Sequence, residues 1–492
     1  MQEIKYRFMK PEYIIATYVI YSLLLFAVSH FSSRKANNDS FFRGNRSSPW
    51  YLVAYGMIGA SLSGVTFISV PGAVGKGQFS YMVVVLGYLV GYWVIVKVLL
   101  PLYYRLNLTS IYTYLEQRFG KRAYKSGALY FLLSRIIGAS FRMYIVVNVL
   151  QYFVLDHYGI PFWLTVFLFM MLIQLYTMKA GIKTIVWTDT LQTTFMLASV
   201  GVSIYFVASK MDMSLGALIQ TVADSEYSKI FITDWHDSRF FVKQFVSGMF
   251  LTIVMTGLDQ DMMQKNLTCR NLGEAQKNVS WMSISLVPIN LIFLFLGAAL
   301  FIYANALGVA IPEKPDHLFP MMAFEHMGLI AGIVFIVGLI AAAYSSADSA
   351  LTALTTSVSV DIFNMEKRDD WDEQKKIRMR KMIHVGMSMV LLVVIVVFGS
   401  FNKDSVINEL FAIAGLTYGP LLGLFSFGLF SKIKVKDKLI PWVVILAPLL
   451  SYVIKINSEA WFWGYKFGFE LLILNGLLTF VGLWLIREKE RR

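Results

Sequence analysis

Ser345, Ser346, Asp348 and Ser349 stand together in the run Ala-Ala-Ala-Tyr-Ser-Ser-Ala-Asp-Ser-Ala-Leu at 341–351, three hydroxyls and a carboxylate in a segment otherwise apolar enough to lie in lipid. An ionisable group at membrane depth is costly and faces a protein interior or a wet cavity, so it marks a functional site. The cluster is rich in oxygen and holds neither sulfur nor imidazole, which suits a hard cation better than a transition metal. It reads as part of a sodium site. Ser345, Asp348, Ser349 and Thr352 also share one helical stripe, at i, i+3, i+4 and i+7.

Such a site also draws on freed backbone groups, which exist at membrane depth only where they line a cavity. Residues 56–77 have the means: Gly56, Gly59, Gly64, Pro71, Gly72, Gly75 and Gly77 punctuate a stretch that carries Ser61, Ser63 and Thr66. Glycine lets the backbone leave helical geometry, and Pro71 removes a donor and frees a carbonyl. Small residues at this spacing also permit close helix packing. The three hydroxyls beside them favour a broken, ligand-lining helix.

The remaining membrane-depth polar groups divide by position. Asp189 sits about one turn into its helix, and the spacing leaves capping and interfacial placement level. Arg142 lies mid-helix, cannot snorkel from there, and is expected to meet an acidic partner or a carbonyl cluster. Arg135, two turns nearer the inner end, is expected to snorkel, and Lys97 and Lys466 near helix ends are expected to be structural. Asp259-Gln260-Asp261 closes its helix and reads as a solvated end. His157, His326 and His384 lie at helix ends or in loops with no carboxylate–histidine spacing, so a metal centre of that kind is not expected.

The elements that position these groups follow from composition. With 57% hydrophobic and only 15% charged residues, the chain is a polytopic membrane protein. Thirteen runs are long enough to span: 13–31, 51–74, 79–104, 126–154, 160–178, 184–208, 243–264, 280–306, 328–362, 383–400, 405–431, 439–455 and 466–486. The net charge of +13 is topological. Most Lys and Arg fall in alternate loops, at 34–46, 105–125, 179–183, 265–277, 367–381, 432–438 and 487–492. This sets the N-terminus outside and the C-terminus in the cytoplasm, and argues against nucleic-acid binding. The first helix lacks a following cleavage site and is expected to be retained. The single cysteine, Cys269, sits in a cytoplasmic loop, so no intramolecular disulfide is expected. The loops 209–242, 307–327 and 363–382 are too short for an appended soluble domain.

Four segments in order resemble the sodium/solute symporters, which include sodium-glucose, sodium-proline and bacterial sodium–sialic acid transporters. They are Trp187-Thr-Asp189 with Gln192 after Gly181-Ile-Lys, Gly257-Leu-Asp-Gln-Asp-Met-Met-Gln264 followed by Glu274-Ala275, Ser345-Ser-Ala-Asp-Ser349, and Tyr418-Gly-Pro420-Leu-Leu-Gly423. The resemblance covers nearly the whole chain. It implies an all-α polytopic protein of the leucine-transporter-type fold, with two inverted five-helix repeats whose first helices are unwound at mid-membrane. On this sequence, 1–50 would be a peripheral first helix and loop, 51–208 the first repeat, 209–242 an extracellular loop, 243–431 the second repeat, and 432–492 two peripheral helices.

The resemblance further implies a sodium ion held by the carbonyls of Gly59, Leu62 and Ala342 and the hydroxyls of Ser345 and Ser346. Some family members hold a second sodium, which here would fall on Asp189, Ser345 and Ser349, with Asp348 in place of a third hydroxyl; Asp348 could complete that site, partner Arg142 or carry a proton. The solute would lie near Ser61, Ser63, Thr66, Arg142, Asp259, Gln260 and Tyr418. The acidic, amide and lysine groups of the family's galactose site have no counterpart here. The Ser-x-Ser-x-x-Thr pattern of 61–66 is similar to the carboxylate-binding stretch of the sialic acid branch, although that branch's second-helix glutamine is missing. The implied activity is sodium-coupled import of a small organic solute across the cell membrane by alternating access. An acidic sugar or another organic anion is the first choice, with a neutral sugar, inositol or amino acid as the alternative. A monomer is expected to suffice. A sensor would carry an output domain, a channel a continuous polar pore, and an enzyme a nucleophile–base pair or metal cluster at membrane depth. None of these patterns is visible in the sequence.

Overall fold

The structure, a computed structural model, describes residues 11–32, 37–178, 181–401 and 413–488. Its principal elements are helices: α1 (Pro11–Ser32), α2 (Trp50–Gly77), α3 (Tyr81–Arg105), α4 (Lys121–Phe153), α5 (Phe162–Thr177), α6 (Ile182–Lys210) and α7 (Phe241–Gly257). They continue with α8 (Gln260–Asn266), α9 (Leu272–Ala306), α10 (Leu329–Ile362), α11 (Glu373–Phe401), α12 (Gly419–Phe430), α13 (Asp437–Trp461) and α14 (Leu471–Leu485). Among the described residues, nine helices are long and apolar enough to cross a membrane, and α7 with α8 makes a tenth, bent span. The other three expected spans correspond to the shorter apolar helices α5, α12 and α14, of 16, 12 and 15 residues. The full count of thirteen is therefore not reached by length alone, and part of the expected 405–431 span lies outside the described residues.

Burial sorts the helices into a core and a rim. In α2, 89% of the apolar stretch is buried, against 22% in α13. The outer face of α13 presents Trp442, Leu449 and Ile456, the surface a lipid-facing helix needs. Within the core, small residues bring backbones together. A Cβ on Gly87 of α3 would lie 2.1 Å from the carbonyl oxygen of Phe245, and one on Gly248 of α7 would lie 2.1 Å from that of Val84. This is the close approach that small residues permit between helices in lipid.

Two core helices are interrupted, and both breaks are built from local chemistry. α2 leaves helical geometry at Ser63, with φ 50° and ψ 175°, a conformation an L-residue rarely adopts. α7 ends in a π-turn at Ile253–Gly257, and the chain bends by 69° into α8. At this second break Asp259 caps α8, accepting from the backbone N–H of Asp261 at 2.9 Å. The freed carbonyls of Gly257 and Leu258 accept from the hydroxyls of Tyr103 and Tyr112, at 2.8 and 3.0 Å. Backbone polar groups buried in a bilayer must be satisfied within the protein, and the tyrosines do this.

The run Asp259-Gln260-Asp261 is thus not a solvated helix end. All three side chains are fully buried at the inner face of the break. His384 also departs from its expected place: it lies within α11, buried between the hydroxyls of Thr177 and Thr355 at 2.9 Å each.

Candidate functional site

The break in α2, the inner half of α6 and the middle of α10 converge. A helix that stops at Ser63 leaves the carbonyls of its preceding turn, residues 59–62, without regular partners. Gly59 lets this turn lie against α6: a Cβ there would meet Thr193 Oγ1 at 2.2 Å. Facing it from α10, Ala342, Ser345 and Ser346 are buried, and the Ser346 hydroxyl has no hydrogen-bond partner. Ser345 Oγ donates its proton to Asp189 Oδ1 at 2.7 Å. Carbonyls and neutral hydroxyls such as the unpartnered Ser346 Oγ fit a hard cation that must also be released.

Asp189 is neither a cap nor an interfacial group. It is 1% exposed and receives Lys265 Nζ on its other oxygen at 2.6 Å. Asp348 is fully buried one helical turn inward of Ser345. Tyr176 donates to its Oδ2 at 2.8 Å, while its Oδ1 has no partner, and among the described residues no cationic side chain lies within ion-pair distance. Ser349 Oγ donates to the Ser345 carbonyl at 3.2 Å. Of the four residues expected at a second ion, the structure joins Asp189 and Ser349 to Ser345 directly, with Asp348 one turn along the same helix.

Beside the α2 break lies a cavity of about 90 Å3. Ser61, Ser63 and Thr66 of α2 line it with Arg142 and Arg135 of α4, and Tyr81, Tyr88 and Tyr92 of α3 form the facing wall. The hydroxyls of Tyr81 and Tyr88 are 3.0 Å apart. Arg142 has neither the acidic partner nor the carbonyls expected for it. Its Nε is buried without a partner, and among the described residues no carboxylate reaches the guanidinium. Arg135 does not snorkel. It is 3% exposed, ion-paired with Asp261 and 3.9 Å from Asp259. The reason is the α7–α8 bend, which carries two carboxylates to the level of Arg135 and none to Arg142.

The other expected solute residues sit apart from this cavity's walls. Gln260 is held by backbone, donating to the Thr109 carbonyl at 2.7 Å and accepting from Ile111 N–H at 3.0 Å. Asp259 caps α8 and accepts from Tyr418 at 2.5 Å. Tyr418 lines an adjoining void of about 10 Å3 that shares Arg135 and Arg142 with the main cavity.

Sequence reasoning missed Lys265, which was assigned to a loop but is buried on Asp189, and Tyr176 and Thr193. Lys265 follows Asp261 by one helical turn, so the bend that buries one buries the other. The tyrosines at 81, 88 and 92 carried a legible signal, since i, i+7 and i+11 fall on one helical face.

Comparison with known proteins agrees with this geometry. The sodium:solute symporter family profile matches residues 41–436. The chain is 24% identical over 481 residues to the sodium/sialic acid symporter NanT of Aliivibrio fischeri, covering 94% of this chain and 92% of that protein. It is also 24% identical over 426 residues to the sodium/sialic acid symporter SiaT of Proteus mirabilis, covering 84% and 83%. A solved Na+-coupled sialic acid symporter in its substrate-bound, outward-open state superposes with a TM-score of 0.82 at 20% identity, over 96% of this chain and 97% of that one. The fold is thus the leucine-transporter type. From the α2 break, the hard-oxygen cluster on α10 and the match over most of its length, the chain belongs to the sodium:solute symporter family and works as a sodium-coupled secondary active symporter by alternating access.

Proposed function

We propose that the solute is a small organic anion carrying a sugar-like polar body, of the sialic acid class. The observation that carries this is Arg142, a cation with no carboxylate partner at the wall of the cavity beside the α2 break. Burying a lone guanidinium is costly, and an incoming carboxylate removes that cost. Ser61, Ser63 and Thr66 supply hydroxyls for the rest of the solute's polar surface, and the tyrosine wall of α3 packs its apolar faces. The sialic acid transport of the two bacterial relatives supports the same reading. A neutral sugar or inositol would leave Arg142 unanswered.

The coupling ion enters between α2 and α10, on the carbonyls of Gly59, Leu62 and Ala342 and the hydroxyls of Ser345 and Ser346. A second sodium takes the excess negative charge of Asp189 and Asp348, with Ser345 and Ser349 as neutral donors. The repeats run over 51–208 and 243–431, with 1–50 and 432–492 peripheral and 209–242 outside. The N-terminus lies outside and the C-terminus in the cytoplasm, as the basic loops require. Arg142 then sits two turns above Arg135, toward the extracellular side.

The test is sodium-driven uptake of N-acetylneuraminate into proteoliposomes. Accumulation is expected with an inward sodium gradient and not with potassium or choline. Uptake that ignores both sodium and membrane potential would sink the reading, and accumulation of a neutral sugar in preference to the acid would overturn the choice of solute.

A further inference from the structure

We propose that Arg135 is a second anion ligand of the solute cavity, held in reserve by Asp261, and that the arriving solute anion and Asp261 compete for it. This rests on the anionic solute argued above. Arg135 lines both the main cavity and the adjoining void, so the guanidinium that pairs with Asp261 also borders the solute's space. Its Nε is buried without a partner. The other anchors of the bend are taken: Asp259 by the α8 cap and Tyr418, Gln260 by the backbone at Thr109 and Ile111. Among the described residues, the Arg135–Asp261 pair is therefore the link across the cavity's inner floor that a solute charge can draw on.

The consequence follows from electrostatics. If the solute takes Arg135, Asp261 is left buried and unpaired, which a low-dielectric interior penalises strongly. The penalty is relieved when α8 shifts and water reaches Asp261, and such a shift opens the cytoplasmic side. Solute binding and inner opening are thereby linked through one guanidinium, and a neutral solute of the same shape lacks the charge to make the exchange.

Cys269, three residues past α8 and fully buried, reports such a shift. Burial pushes its thiol up to about 12, so it labels slowly while the floor is closed. In sodium, N-acetylneuraminate is expected to speed maleimide labelling of Cys269, and its neutral methyl ester is not. Asp261→Asn is expected to label without solute and to improve acid-over-ester discrimination about tenfold, the scale of one charge-assisted bond. Asp261→Glu, which keeps the charge, is expected to restore slow labelling. Unchanged labelling and unchanged discrimination in Asp261→Asn would overturn the proposal. Should that variant not fold, Arg135→Lys, which keeps the charge but loses the fork, makes the same comparison. If N-acetylneuraminate does not bind the native protein, the choice of solute fails; the latch is then judged on solute-free labelling of Asp261→Asn, which must exceed that of the native protein.

Discussion

Seven residues apart on one helix, Arg135 and Arg142 show how environment decides what an arginine does. Arg135 meets Asp261 and Asp259, while Arg142 meets open space and the hydroxyls of α2. Removing an arginine that binds a carboxylate costs about 1.5–3 kcal/mol, roughly tenfold to a hundredfold in affinity. Arg142→Ala is therefore expected to weaken N-acetylneuraminate binding by that factor while leaving sodium binding intact, and Arg142→Lys to recover part of it. Isothermal titration in saturating sodium checks both. Ser346→Ala is expected to do the converse, lowering sodium affinity first, because its hydroxyl has no protein partner to lose. Equal sodium affinity in that variant would remove Ser346 from the ligand set. The residues of the α10 cluster were legible in the sequence because oxygen donors in an apolar run have no bland explanation. The partners of Arg135 and Lys265 were not, because pairing across helices depends on a bend that residue spacing does not encode.

At the scale of elements, the α2–α6 contact at Gly59 and Thr193 borders the proposed sodium site. Gly59→Ala would drive a methyl into Thr193 Oγ1, whereas a methyl at Gly201, on the same helix as Thr193, meets nothing within 4 Å. Gly59→Ala is expected to abolish sodium-dependent thermal stabilisation, and Gly201→Ala to keep it, with about 1 kcal/mol of added helix stability. Loss of the sodium response in both would show that the effect is not local to the α2 break. The glycine-rich character of α2 predicted that it breaks; the position, Ser63 rather than the 59–62 turn itself, is set by its packing against α6 and α10. The break in α7 was implied by the family resemblance alone and not by its residues, since two aspartates at a helix end look solvated until Tyr103, Tyr112 and Arg135 are brought to them. The outer segment Pro315–His317 packs over α2 at Gly72, where a Cβ would lie 2.4 Å from the Pro315 carbonyl oxygen. Burial against Tyr152 and Phe153, with Lys314 nearby, lowers His317 from 6.5 to about 4. The docked form holds the neutral ring, so docking is fully stable above pH 6.5 and weakens as pH falls toward 4. Hydrogen exchange over 315–326 is expected to rise through that window, and His317→Phe to abolish the rise. A pH-independent profile in the native protein would refute the assignment.

For the whole molecule the deciding quantity is charge moved per cycle. The first sodium site proposed above is made of neutral oxygens, so one sodium with a monoanionic solute carries no net charge and gains nothing from the membrane potential. On the second site proposed above, a sodium taken up by Asp189 and Asp348, with Lys265 on Asp189, brings the count to two ions per solute. With a tenfold sodium ratio, one ion supplies about 1.4 kcal/mol and supports about tenfold accumulation of the anion. Two ions supply about 2.8 kcal/mol, and the net positive charge adds about 2.3 kcal/mol at 100 mV, for roughly 5,000-fold. The native protein is therefore expected to be electrogenic, with the solute ratio at static head rising as the square of the sodium ratio. Asp348→Asn removes the excess charge, so its uptake is expected to become indifferent to a valinomycin-imposed potential, with the square dependence falling to first order. Native uptake that already ignores potential, with a first-order sodium dependence, would leave Asp348 without a role in coupling. An Asp348→Asn protein that keeps the square law would place the second ion elsewhere in the bundle.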